Sequence, residues 1–332
     1  MRFARIAWAA SILSLIGCAG TPSALPAAPA PLAERSPASE TLSQPSNDLA
    51  KHMLYVANSS ANRITEYKRS ASGDIAPLTT ISGSNTGLSF PSYITLDPLH
   101  HLFVTNASAN SVTEYTKTAT GNAIPIATIQ GAFTQLSFPQ GIALDASGRI
   151  YVANGASTPY LTVYRAGANG NVSPSQTIYD STGFLSVAGL AVHGTTIYVS
   201  NTDFNFNTQV SEYPTSANGI VTASAQIGGL SAPLGVAVEG NGKIVVADGS
   251  AIKVFAANAN GFPTPLHTIS GSDTLLNGPA GVAVGSSGIY VADSSTPALT
   301  SYAVGANGDI APLRDVTGSM TMLAAPVGVA IR

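Results

Sequence analysis

The sequence predicts an all-β fold: a six-bladed β-propeller with four antiparallel strands per blade, its ring closed by the C-terminal strand. Three observations lead there. Charged residues make up 9% of the 332 residues and apolar residues 45%, beside 32 Gly and 21 Pro. Short buried strands joined by tight turns use such a mixture, whereas amphipathic helices need a charged face. A six-residue pattern then recurs along the chain at spacings of 48, 48, 47, 47 and 45 residues. Each recurrence is followed by the same further strand-like runs, and four strands in such a period is the signature of a propeller blade.

The chain opens with a secretory leader at 1–17. Arg2 and Arg5 form its positive start, and residues 6–16 are an apolar run. That run is shorter than the ~20 apolar residues a membrane-spanning helix needs. Leu15-Ile16-Gly17-Cys18 resembles the bacterial lipobox, in which a small residue precedes the lipidated cysteine. The resemblance implies diacylation of the Cys18 thiol, cleavage after Gly17 and acylation of the new amino terminus. The competing reading is an ordinary signal peptide cleaved further on. Cys18 is the only cysteine in the chain, so it can form neither an intramolecular disulfide nor a cysteine-based zinc site. Ala19, rather than Asp, follows it, which resembles a signal for the outer membrane, on its periplasmic or surface face. Residues 18–50 hold the cysteine and then six prolines among Ala and Ser with no apolar period. This is a disordered tether, able to reach roughly 100 Å if fully extended.

The repeats fill 51–332. Their first strand is LYVANS (54–59), LFVTNA (102–107), IYVANG (150–155), IYVSNT (197–202), IVVADG (244–249) and IYVADS (289–294). The second ends in an aromatic, as in ITEY (64–67) and VTEY (112–115), and runs into a turn carrying glycine at positions 73, 121, 170, 219, 261 and 308. Glycine supplies the positive φ such a turn requires. A third run follows, as in PLTTISG (77–83). The fourth is an alternating strand usually introduced by Pro-x-Gly: PSYITLD (91–97), PQGIALD (139–145), VAGLAVH (187–193), PLGVAVE (233–239), PAGVAVG (279–285) and PVGVAIR (326–332). No strand of the fourth class precedes Leu54, and one ends the chain. The last strand therefore completes the first blade and removes the open sheet edge.

The strand order, with LYVANSSANRITEY (54–67) and LFVTNASANSVTEY (102–115) as the closest stretches, resembles NHL-repeat propellers and the related YVTN-type propellers of bacterial envelopes. That family includes protein-binding, glycan-binding and enzymatic members, so the resemblance implies a fold more than an activity.

Loss of Arg2 and Arg5 with the leader takes the net charge from −3 to −5, and there is no basic cluster. Nucleic acid, which needs a phosphate-neutralising patch, is thereby excluded as a partner. If the register follows NHL propellers, Asn58, Asn106, Asn154, Asn201, Asp248 and Asp293 gather on one rim. They either cap their own loops, as Asx residues do in turns, or bind a polar ligand or cation. The second possibility is an alternative reading: a lactonase-like hydrolase holding calcium or another divalent cation at the central channel through Asn154, Asn201, Asp248 and Asp293. No cofactor is expected otherwise. The five histidines form no metal-spaced motif, Glu66, Glu114 and Glu212 repeat as sheet-face charges, and no Gly-x-Ser-x-Gly elbow is present.

Dedicated sites break symmetry, so the irregular positions are the candidates. Tyr93 stands where glycine is usual, Tyr160 ends an insertion at 156–160, and an enlarged loop holds Asp203, Phe204, Asn205, Phe206 and Asn207. Aromatics beside amides suit a protein, peptide or glycan. The expectation is a monomeric, lipid-anchored, non-enzymatic binding propeller; a purely structural envelope protein is a third reading.

Overall fold

The computed structural model describes residues 52–332; the leader, Cys18 and the tether lie outside the described residues. Six four-stranded antiparallel sheets form the blades. From the innermost strand outward, blade 1 comprises β25 (Pro326–Ile331), β1 (Met53–Asn58), β2 (Arg63–Lys68) and β3 (Thr79–Ser82). Blade 2 is β4 (Pro91–Leu96), β5 (Leu102–Asn106), β6 (Ser111–Tyr115) and β7 (Ala127–Gln130). Blade 3 is β8 (Pro139–Leu144), β9 (Ile150–Asn154), β10 (Tyr160–Tyr164) and β11 (Gln176–Asp180). Blade 4 is β12 (Phe184–His193), β13 (Thr196–Asp203), β14 (Thr208–Pro214) and β16 (Ala225–Ile227). Blade 5 is β17 (Pro233–Val238), β18 (Ile244–Asp248), β19 (Ala251–Phe255) and β20 (His267–Ile269). Blade 6 is β21 (Pro279–Gly285), β22 (Gly288–Asp293), β23 (Ala298–Tyr302) and β24 (Arg314–Thr317). The expected closure is present: β25 pairs antiparallel with β1, with Leu54 opposite Ile331.

The Pro-x-Gly strands are the innermost ones, and the second strands are buried along their length, save for Thr196 and Thr202 of β13. Burial on both faces explains why these segments read as continuous apolar runs rather than alternating ones. The hydrophobic cores lie between blades. One joins Tyr55, Ala57 and Ile64 of blade 1 to Ile94, Val104 and Tyr115 of blade 2, and five equivalent cores complete the circle. Where the third strand ends in tyrosine, that residue also has a polar task. The buried hydroxyls of Tyr67, Tyr115, Tyr164 and Tyr302 donate to the carbonyls of Thr321, Thr86, Thr134 and Thr274, in the link leading into their own blade.

Outer edges are covered as well. The turn glycine of each blade reaches back to the outermost strand of the blade before it: Gly121 N donates to Thr80 O at 2.6 Å, Gly170 N to Thr128 O at 2.7 Å and Gly308 N to Thr268 O at 2.7 Å. In blade 4 this contact extends into a short strand, β15 (Gly219–Val221), which pairs parallel with β11 and gives blade 3 a fifth strand. A sheet edge capped in this way offers no free ladder to another chain.

Candidate binding rim

Two rims follow from strand direction. The second strands end, the innermost strands begin and the links between blades all run on one rim, because Pro91 pairs with Asn106 and Ser111 with both Asn106 and Gln130. The repeated Asn and Asp residues stand there, and all six are buried. Each staples the lead-in to its own blade's innermost strand or its own hairpin. Asn58 donates to Thr65 Oγ1 at 2.9 Å and accepts from Ala324 N at 3.0 Å. Asn106 and Asn154 accept from Ser89 N and Ser137 N. Asn201 donates to Ser211 Oγ at 2.8 Å. Asp248 accepts from Ser231 N and Ala232 N, both at 2.7 Å, and from Lys253 Nζ at 2.6 Å. Asp293 accepts from Asn277 N, Gly278 N and Thr296 N. The carboxylates of Asp248 and Asp293 and the amide oxygens of Asn58, Asn106 and Asn154 are thus taken up by groups of their own blades, as loop-capping Asx residues are.

The channel itself is a cavity of about 250 Å³ walled by the innermost strand of each blade, while the side chains of Ile94, Ile142, Leu190, Val236, Val282 and Val329 on those strands are buried in the cores between blades. Asn154, Asn201, Asp248 and Asp293 are not among its lining residues. At its narrow end the Pro-x-Gly glycines touch the next blade's backbone. A methyl group placed on Gly189 falls 2.3 Å from Leu234 O, and one on Gly281 falls 2.0 Å from Val327 O. Any side chain there has to leave the strand–strand contact. Tyr93 does so by crossing the channel from blade 2 to blade 6, where its hydroxyl donates to Ala280 O at 3.1 Å. Burial pushes its phenol well above the usual range.

The other irregular positions lie on the same rim. Asp203 is buried and builds the turn from β13 to β14: it accepts from Asn205 N at 2.8 Å, Asn207 N at 2.9 Å and Asn207 Nδ2 at 2.9 Å. Burial works to raise its carboxyl, but the bonds from Asn207 and Asn205 outweigh it and hold the group below the usual carboxylate range. Asp203 and Asn207 are therefore the frame of the loop, which presents Phe204, Asn205 and Phe206 to solvent. Phe204 rests on Gly183, whose missing side chain leaves room for the ring. Tyr160 is half-buried, donates to Gln135 O at 2.7 Å and packs on Tyr179 at 5.5 Å between ring centroids. Among the described residues no hydrogen bond or ring contact joins Tyr93, Tyr160 and the 203–207 turn.

Sequence reasoning missed the larger part of the rim. Phe90, Phe133 and Phe138 are also exposed, as is Phe262, which lies against Gly228 and Gly229 in a link of the same rim. Phe90 and Phe138 adopt φ of 53° and 50°, a left-handed conformation that bulky residues rarely take and that Ala325 shares at the equivalent position before Pro326. It is held by Asn62 and Asn110, whose side-chain oxygens accept from Phe90 N and Phe138 N at 2.7 Å. The visible signal was the repeated LSFP at 88–91 and 136–139.

Solved structures share the fold. The chain aligns with a chain of the nidogen/laminin complex at 13% identity and a TM-score of 0.61, covering 84% of this chain and 97% of that one. A protein of unknown function from Bacteroides caccae aligns at 10% identity and a TM-score of 0.62, covering 85% and 98%. The WD40 β-propeller domain of Doa1 aligns at 12% identity and a TM-score of 0.53, covering 81% and 80%. At such identities the likeness is one of fold. No protein-family description matches the chain, and no curated protein sequence does.

Proposed function

We propose that this chain is a non-enzymatic binding propeller of NHL/YVTN type, anchored to a bacterial membrane through Cys18, that engages a protein partner by the rim bearing Phe206. One observation carries the reading. Six phenylalanines, Phe90, Phe133, Phe138, Phe204, Phe206 and Phe262, are exposed in an arc over blades 2 to 5, five at loops or links of that rim and Phe262 on an outer turn that reaches its Gly228–Gly229 link. The core does not need them there, and aromatic side chains grouped on a surface supply the apolar anchors of protein interfaces. A platform spread over four blades is wide for a small ligand and suits a macromolecular one. A chain of similar fold stands in a complex of two proteins, nidogen and laminin.

The test is site-specific photo-cross-linking in cells. A photoreactive residue at Phe138 or Phe206 yields a discrete protein adduct that disappears in Phe204→Ser, and one at Leu99, on the other rim, does not. Equal adducts from both rims, or none from either, refute the assignment. The anchor is tested separately. Labelling with a palmitate analogue is abolished in Cys18→Ser, and labelling that persists sinks lipidation without touching the rim.

A further inference from the structure

The opposite rim holds a group that linear spacing conceals. In blade 2 the turn from β4 to β5 supplies Asp97 and His101, and the facing strand β6 supplies Glu114. His101 Nδ1 lies 3.2 Å from Asp97 Oδ2 and 3.1 Å from Glu114 Oε1. The three ligand atoms lie within 4.8 Å of one another, and this is the only such group of three or more His, Cys, Asp or Glu among the described residues. The side chains are mostly buried, at 26%, 17% and 15% exposure.

Three features bear on what holds this group together. The first is a proton count. One ring nitrogen carries at most one hydrogen, which cannot point along a straight line at two carboxylate oxygens at once. The second is geometry. Bonds of about 2.0–2.2 Å from a first-row cation place neighbouring ligand atoms about 2.8–3.6 Å apart, from octahedral to tetrahedral arrangements, and both measured separations fall in that interval. The third is comparison with blade 3, where the equivalent positions are Asp145, Arg149, Tyr151 and Val163. There the carboxylate is satisfied by Arg149 Nε at 2.7 Å and the Tyr151 hydroxyl at 3.0 Å. Blade 2 exchanges the fixed cation for an imidazole, the hydroxyl for Phe103 and the valine for a second carboxylate. Each exchange removes an internal partner or adds a metal ligand. Asp97 Oδ1 also accepts His101 N at 2.7 Å, which fixes the turn and aims both side chains.

We propose that Asp97, His101 and Glu114 bind a divalent transition-metal cation of the zinc class. Mixed imidazole and carboxylate ligands suit zinc, cobalt or manganese, whereas calcium prefers six to eight oxygens. Two carboxylates balance the ion's charge, and three protein ligands leave a position for water or for a group from another molecule. The site stands on the rim opposite the phenylalanines and does not depend on the proposed role of that rim.

The experiment is calorimetric titration of the chelator-treated full chain with zinc chloride, beside cobalt(II) monitored by its visible absorption. The expected result is one equivalent bound, with His101→Ala and Glu114→Gln each weakening binding by at least about tenfold, the lower bound for loss of groups that only support metal ligands. His100→Ala, at the adjacent residue, leaves binding unchanged. Melting of each metal-free variant confirms that it is folded, and Glu114→Gln preserves side-chain shape if the histidine variant is unstable. No uptake by the wild-type protein, or undiminished uptake by both variants, overturns the proposal.

Discussion

Gly281→Ala examines the reasoning about the ring most directly. The added methyl group falls 2.0 Å from Val327 O and 3.2 Å from Val329 N, both backbone atoms of the neighbouring innermost strand. Even attractive carbon–oxygen contacts stop at about 3.3–3.6 Å, so β21 and β25 must part by more than about 1 Å. In an open sheet an edge strand absorbs such a shift. Here Gly141, Gly189, Gly235 and Gly328 make the same close approach to their own neighbours, at 2.5, 2.3, 2.8 and 2.6 Å, and the displacement has nowhere to go. Overpacking costs about 1–3 kcal/mol, and a backbone obstacle puts this case near about 3 kcal/mol. For a domain of this size that lowers the melting temperature by about 6–12 °C. The assay is thermal melting by circular dichroism alongside Gly240→Ala, whose methyl group meets nothing within 4 Å and whose backbone is ordinary. The control stays within about 0.5 kcal/mol of wild type. A Gly281→Ala protein that melts within about 1 °C of wild type would refute the claim that the glycines exist for ring contact.

Two further outcomes follow from polar contacts. Tyr93→Phe removes the bond to Ala280 O but keeps the ring across the channel; it costs about 0.5–1.5 kcal/mol and shows as a small fall in urea midpoint, whereas an unchanged midpoint would mean the hydroxyl is solvated. Burial works to raise the Asp145 carboxyl, but bonds from Ser147, the Arg149 main chain and side chain, and Tyr151 outweigh it and hold it at about 2, below the ordinary 3.8. Its contribution is therefore fully present above pH 3.8 and lost as pH falls through about 2. Asp145→Asn destabilises by about 1–2 kcal/mol at neutral pH and converges with wild type in acid, which paired pH melts would show.

Blade number, strand order and closure were legible because they are properties of a period, and each strand class could be counted separately. The reason for the glycines was not, since the atoms they avoid belong to the next repeat, some 45 residues away. Tyr93 could be read as a projecting side chain, but not as one that reaches blade 6. Phe90 and Phe138 looked like ordinary lead-in residues. Their exposure depends on a left-handed backbone set by Asn62 and Asn110, 28 residues earlier. His101 was passed over for lack of metal spacing, because Glu114 comes to it across a strand pair. Local pattern reports what a segment is; these contacts report what it is beside.

The pairing of β25 with β1 constrains the protein's history as much as its shape. It joins residues 331 and 54, a contact so remote that nearly the whole chain must be ordered before it is rewarded. Residue 331 is also translated after five blades are complete, and until it arrives β1 has a bare flank where its inner partner belongs. The molecule thus passes its synthesis as an open arc, sticky at one end, and locks only once the final strand is delivered. A chain shortened by its last seven residues would carry five whole blades and three strands of the first, and still have no clasp.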